Sequence, residues 1–161
     1  MKESLDFIYK QQKELSTYGG IAALLGWDQM TYMPPMGIIK RSEQSSLMSR
    51  IIHEKIVSDT FWNHIQILSK PTNYAALSDK DKNVVRRLKK DVEKSRKIPS
   101  DFVERMSKTT TFAYSAWEKA KKQNDFSIFL PHLKKIVELE KEYCGYINLT
   151  GHLYNNLLDD Y

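Results

Sequence analysis

The 161-residue sequence is 41% hydrophobic and 28% charged with a net charge of +5, enough chain for one buried core and an ordinary globular composition. No apolar run approaches the roughly 20 residues of a membrane span, and the polar Met1-Lys2-Glu3-Ser4 start is unlike a secretory signal. Cys144 is the single cysteine, which excludes an internal disulfide and fits a reducing, cytoplasmic setting.

Six glycines and five prolines are few for a β-rich fold, and apolar residues recur at three- and four-residue spacings, so the expected class is all-α. Leu5, Ile8 and Leu15 mark a first helix, with Phe7 beside the stripe. Tyr18-Gly19-Gly20 is expected to loosen or bend the chain before Ile21-Ala22-Ala23-Leu24-Leu25 resumes the helix. Met33-Pro34-Pro35 stops it, because proline disfavours a helical residue before it and donates no N–H. A third helix carries Leu47, Met48, Ile51, Ile52 and Ile56 on one side. Ser58-Asp59 reads as a cap opening a helix through Phe61, Trp62, Ile65 and Leu68, with Pro71-Thr72-Asn73 as its end.

Ser78 and Asp81 form the next start signal, a weaker relative of the capping box. The helix they open holds the densest basic patch, Arg86 to Lys97, and the sequence pI of about 9.1 raises the question of nucleic acid. Acids interrupt that patch, Val84, Val85, Leu88 and Val92 recur within it, and aromatics are absent. It therefore reads as the solvated back of an amphipathic helix, and nucleic acid ranks last among the partners considered. Ile98-Pro99-Ser100 separates the following helix, with Phe102, Met106, Ala113, Trp117 and Ala120 at helical spacing. Asn124-Asp125 caps a turn holding Phe126 and Phe129, and Pro131 restarts the helix at its first position. Its stripe opens on Leu133, Ile136 and Val137 and passes through Leu139, Tyr143 and Ile147, avoiding Glu140. A short segment from Leu153 to Tyr161 closes the chain. The expected architecture is a single helical region over residues 1–161, a bundle of about seven or eight helices with short connections.

Catalytic motifs are wanting. A zinc peptidase helix needs two histidines one turn apart with a glutamate between them. His53-Glu54-Lys55-Ile56-Val57 begins that pattern, but Val57 stands where the second histidine belongs. His53, His64, His132 and His152 are isolated from one another, so no metal ligands are assigned. Cys144 has no positive helix N-terminus beside it. There is no Gly-x-Ser-x-Gly elbow or Gly-rich phosphate loop, and the carboxylates, such as Glu138 and Glu142 among Lys134, Lys135 and Lys141, suit ordinary helix-surface pairing. No catalytic residue is assigned.

One stretch departs from routine core. Leu24 to Pro35 packs Gly26, Trp27, Asp28, Gln29, Tyr32 and a proline pair into twelve positions. Asp28 or Gln29 follows a strongly apolar run and is expected to turn inward, where a carboxylate needs hydrogen-bond partners. The stretch is either a polar network locking helix ends together or the lining of a groove. Trp27, Asp28, Gln29 and Tyr32 are the substrate-groove candidates.

The same residues carry a resemblance. Leu24-Leu25-Gly26-Trp27-Asp28-Gln29, followed by Thr31-Tyr32-Met33-Pro34-Pro35, resembles the N-terminal motif of the carboxypeptidase Taq family of metal-dependent carboxypeptidases. Arg41-Ser42-Glu43-Gln44, Ile52-His53-Glu54 and Asn83-Val84-Val85-Arg86 are similar to the segments that follow. Ala116 to Ala120, Asn124 to Leu133 and Tyr154 to Tyr161 resemble later landmarks, so the likeness runs over nearly the whole chain. It implies an N-terminal helical region that packs on a catalytic part and helps wall its groove. The family's His-Glu-x-x-His helix, its downstream glutamate and its carboxylate-binding motifs have no counterpart before Tyr161. The resemblance therefore implies a divalent metal, zinc or cobalt, and a peptide substrate only for a full-length enzyme. It further implies the catalytic part of the same protein as partner, and a homodimer. A stand-alone helical binding or oligomerisation module is the alternative, with Trp27, Tyr32, Met33, Met36 and Trp62 as its candidate exposed surface.

Overall fold

The computed structural model describes residues 1–147 and 152–158. They form seven α-helices: α1 (Lys2–Thr31), α2 (Ile38–Val57), α3 (Asp59–Ser69), α4 (Pro71–Ala75), α5 (Asp79–Ser95), α6 (Ser100–Gln123) and α7 (Leu130–Ile147). Three 3-10 turns lie at Pro35–Gly37, Phe126–Ile128 and Leu153–Asn156, and the described residues contain no strand. The chain is all-α, as its spacing predicts. Asp159, Asp160 and Tyr161, part of the family-like final segment, lie outside the described residues.

Most boundaries follow side-chain chemistry. Ser58 caps α3 by accepting from the Phe61 N–H at 3.3 Å, and Ser78 caps α5 by accepting from the Asp81 N–H at 3.2 Å. Asn124 ends α6 in the left-handed conformation, φ 50°, which asparagine tolerates better than most residues. Asp125 then accepts from the Ser127 N–H at 2.9 Å and opens the second 3-10 turn.

Two local expectations are corrected. Gly19 and Gly20 do not interrupt the first helix, and α1 runs through them as 30 continuous helical residues. A Cβ at either would meet nothing within 4 Å, so each glycine costs about 1 kcal/mol of propensity without breaking the hydrogen-bond ladder. Pro71 does not only end a helix. Lys70 is already extended, and Pro71 opens the five-residue α4 from its first position, where its missing N–H leaves no bond unmade.

The fold divides into two compact units, one of Met1–Ile21 and Ile51–Lys97 and the other of Ala22–Arg50 and Ile98–Tyr161. The core of the first is Ile8, Phe61, Ile65, Leu68, Leu77, Val85 and Val92, with Leu5, Phe7, Trp62 and Leu88 packed against it. Phe61, Ile65 and Leu68 recur at four and three residues on α3, so one helix face is buried. Burying each such side chain contributes about 1.5–3 kcal/mol. Across this core Tyr9 donates to Asp81 at 2.5 Å, and Arg96 on the far side of α5 pairs with Asp59 at 2.8 Å.

In the second unit α6 packs on α7. Phe102, Ala113, Ala120, Leu139, Cys144 and Ile147 are buried there, and Phe102 meets the rings of Tyr143 and Tyr146 at 6.3 and 5.3 Å. The stripe of α7 does pass through Leu139 and Ile147. On α2 the fully turned-in positions are not the expected aliphatics but Arg41, Ser42, Ser46 and His53, while Leu47 stays exposed. The serine hydroxyls bond back to carbonyls of their own helix, Ser42 to Ile39 at 2.7 Å and Ser46 to Glu43 at 3.2 Å, so small polar side chains can be buried without losing partners.

Candidate functional site

The motif stretch lies at the C-terminal end of α1, within the second unit. Its helix closes on Asp28, whose carbonyl accepts from both the Tyr32 N–H at 3.0 Å and the Met33 N–H at 2.9 Å. Pro34 and Pro35 then prevent continuation, and Pro35–Gly37 makes a single 3-10 turn into α2. The turn is tight: a Cβ at Gly37 would sit 3.0 Å from Met33 Cγ, so any side chain there would require Met33 to shift by a few tenths of an ångström.

Asp28 and Gln29 both turn inward and both find partners. Arg41, reaching from the first turns of α2, is buried and donates to the Leu25 carbonyl and the Asp28 carboxylate, with Nε on Gln44 Oε1 at 3.2 Å. The guanidinium fork suits such simultaneous contacts. Gln29 donates from Nε2 to the Thr111 carbonyl of α6 at 3.2 Å. These contacts fasten the end of α1 to α2 and α6, so the polar network expected at this stretch is present.

Trp27 and Tyr32 face solvent instead. Their rings meet edge to face at 5.4 Å, and Tyr32 is 74% exposed. Leu24, Met30, Met36 and Ile39 are also exposed, so a run of large apolar side chains follows the end of α1 into α2. Of the other residues expected on an exposed surface, Met33 is half-buried and Trp62 is half-buried under the Arg96 guanidinium, 5.7 Å from its ring.

Beside this run is a cleft of about 430 Å³ lined by Gln29, Met30, Met33 and Pro35 on one side and by Tyr114 and Glu118 of α6 on the other. Gln29 alone of the four groove candidates lines it. Sequence reading missed the α6 wall and Thr111, which lies 82 residues from its partner Gln29.

Among the described residues no three His, Cys, Asp or Glu side chains come together as a metal site. His53 is buried with Nε2 3.2 Å from the Ser95 carbonyl. His64 stacks on Phe7 at 4.1 Å, and its buried Nδ1 has no partner. Cys144 is buried and donates to the Leu153 carbonyl at 3.4 Å. These residues do not fit a divalent metal, and no metal-dependent step can be built from them. Glu142 differs from its expected pairing with neighbouring lysines. It holds Arg105 of α6 through both oxygens, at 3.1 and 2.6 Å, and accepts from Tyr146 at 2.7 Å. Arg105 first, then Tyr146, lowers its carboxyl from an ordinary 4.5 to about 2.

Residues 7–161 match the profile of the carboxypeptidase Taq (M32) metallopeptidases. The chain belongs to this family. It is 32% identical over 159 residues to thermostable carboxypeptidase 1 of Pyrococcus furiosus, covering 99% of this chain and 31% of that protein. Against carboxypeptidase 1 of Bacillus subtilis it is 32% identical over 158 residues, covering 98% and 30%. The BsuCP crystal structure superposes with a TM-score of 0.94 at 30% identity, over 99% of this chain and 32% of that one. The chain thus spans about a third of the length of these M32 relatives.

Proposed function

We propose that this chain is the N-terminal segment of a metallocarboxypeptidase that removes C-terminal amino acids from peptides, and that it is inert alone. The observation carrying this reading is that nearly the whole chain aligns with M32 carboxypeptidases while accounting for only 31% of the Pyrococcus relative. The family chemistry, hydrolysis of the last peptide bond, would draw on a divalent metal, zinc or cobalt, to supply activated water. That chemistry would belong to the other two-thirds of the protein. The apolar run of Leu24, Trp27, Met30, Tyr32 and Met36 suits a face that the catalytic part covers, since contiguous exposed apolar surface marks an interaction site. Trp27, Asp28, Gln29 and Tyr32 then hold or border one wall of the peptide groove. The full protein would be a cytoplasmic homodimer.

Two measurements test this. The purified chain, given zinc or cobalt and an N-blocked dipeptide, should release no amino acid; turnover abolished by chelator would refute inertness. The coding frame beyond the Tyr161 codon should encode a His-Glu-x-x-His helix; an immediate stop with no partner gene would favour a helical binding or oligomerisation module. That second reading draws on the same exposed apolar run, and it predicts concentration-dependent self-association in sedimentation, abolished by Trp27→Ser with Met30→Ser.

A further inference from the structure

The seam between α6 and α7 changes character along its length. Arg105 near the start of α6 grips Glu142 near the end of α7, so the two helices run antiparallel and opposite charges face each other there. Moving away from that pair, α6 presents Lys108, Thr109 and Phe112, and α7 presents Leu139, Glu138, Lys135 and His132. All of these line one groove of about 520 Å³. Positions facing each other across a helix pair normally carry apolar or opposite charges, and like charges there are unfavourable. Here one lysine comes from each helix, with a histidine added.

The charges do not cancel locally. Arg105 is already held by Glu142 and lies over the Phe102 ring at 5.5 Å. Among the described residues no carboxylate lies within ion-pair distance of Lys108 or Lys135. Glu43 is held below its ordinary range first by Lys40, its 2.7 Å partner, and only last by Lys108. Three cationic side chains, Arg105, Lys108 and Lys135, stand against Glu138 and Glu142, leaving one net positive charge with His132 neutral and two with it protonated. The groove also has an apolar floor, Phe112 and Leu139, extended by the lysine stems. Its volume falls within the usual range of small-ligand sites, which combine apolar walls with a few polar anchors.

We propose that this groove binds a small carboxylate with an apolar body, the carboxylate between Lys108, Lys135 and His132 and the body on Phe112 and Leu139. The Arg105–Glu142 pair closes one end and keeps the helices at fixed separation. The groove is lined by residues between Arg105 and Glu142 of this chain. Charge-assisted hydrogen bonds from one ammonium group on each helix would supply the selectivity for an anion over its neutral analogue.

The test is a titration of the intact chain with 4-phenylbutyrate at pH 7 and low salt, followed through the histidine imidazole signals by NMR. The His132 signals should shift saturably at millimolar ligand while those of His53 and His64 stay in place. Lys108→Met and Lys135→Met should each weaken binding about three- to tenfold, and Lys97→Met, outside the groove, should not. The neutral amide should bind at least about fivefold more weakly. Circular dichroism of each variant should match that of the parent chain, since Lys108 and Lys135 are exposed. An absent or unsaturable His132 shift, equal affinity for acid and amide, or unchanged binding in both groove variants would each overturn the proposal.

Discussion

Arg41→Ala is the most telling single substitution in the motif region. The Arg41 side chain is 11% exposed and donates to the Leu25 carbonyl, the Asp28 carboxylate and Gln44. Hydrogen bonds involving a charged group contribute about 1.5–3 kcal/mol each, and neutral ones about 1. The desolvation cost of the guanidinium disappears with it, which offsets part of that sum. Asp28, 38% exposed, can rehydrate and is not stranded, so the net loss should be about 2–3 kcal/mol. Asp28→Asn keeps the buried cation but removes its counter-charge, for a loss of about 1–2 kcal/mol, between values for exposed and buried pairs. The assay is urea unfolding followed by circular dichroism on both single variants and the double. The cycle should give a coupling of about 1 kcal/mol. Arg41→Lys should restore less than half of the loss, because one ammonium cannot reproduce the fork. A loss below about 0.5 kcal/mol for Arg41→Ala, or full rescue by lysine, would refute the claim that Arg41 fastens α1 to α2.

Glu142 gives a pH prediction. Its folded-state carboxyl is lowered to about 2, so its stabilising contribution is complete above its unfolded value and fades as pH falls from about 5 through 2. Glu142→Gln should flatten the acid limb of stability across that window and leave the dependence above pH 6 unchanged; an unaltered acid limb would refute the pairing. Ser58→Ala removes the cap on the Phe61 N–H and should cost about 1 kcal/mol in urea unfolding. Gly19→Ala with Gly20→Ala fills open space in a continuous helix and should raise stability by about 1–2 kcal/mol. Destabilisation would show that the helix needs those glycines.

Local chemistry carried most of the legible structure. Ser58, Ser78 and Asn124-Asp125 announce boundaries that rest on contacts within a few residues. Where tertiary contact decided the outcome, periodicity misled. Serines and Arg41 took the inward face of α2 because side chains and carbonyls close at hand satisfy them, whereas the pattern favoured Leu47. Glu142 chose an arginine 37 residues away over lysines on its own helix. At the candidate site, the unusual composition of residues 24–35 located the region and the apolar run before Asp28 and Gln29 pointed to one of them turning inward, whereas both find partners. The Tyr114–Glu118 wall was invisible, since nothing near α1 encodes the register of α6 beside it.

The single thiol offers a clock for local opening. Cys144 is 3% exposed and tied to Leu153, so a reagent such as an aromatic disulfide can react only when the end of α7 lifts from its neighbours. With one cysteine in the sequence, the rate needs no assignment. At low reagent concentration it reports the equilibrium population of the open form, and at high concentration the opening rate itself. The chain therefore carries its own probe of how firmly α7 is held, usable without modification.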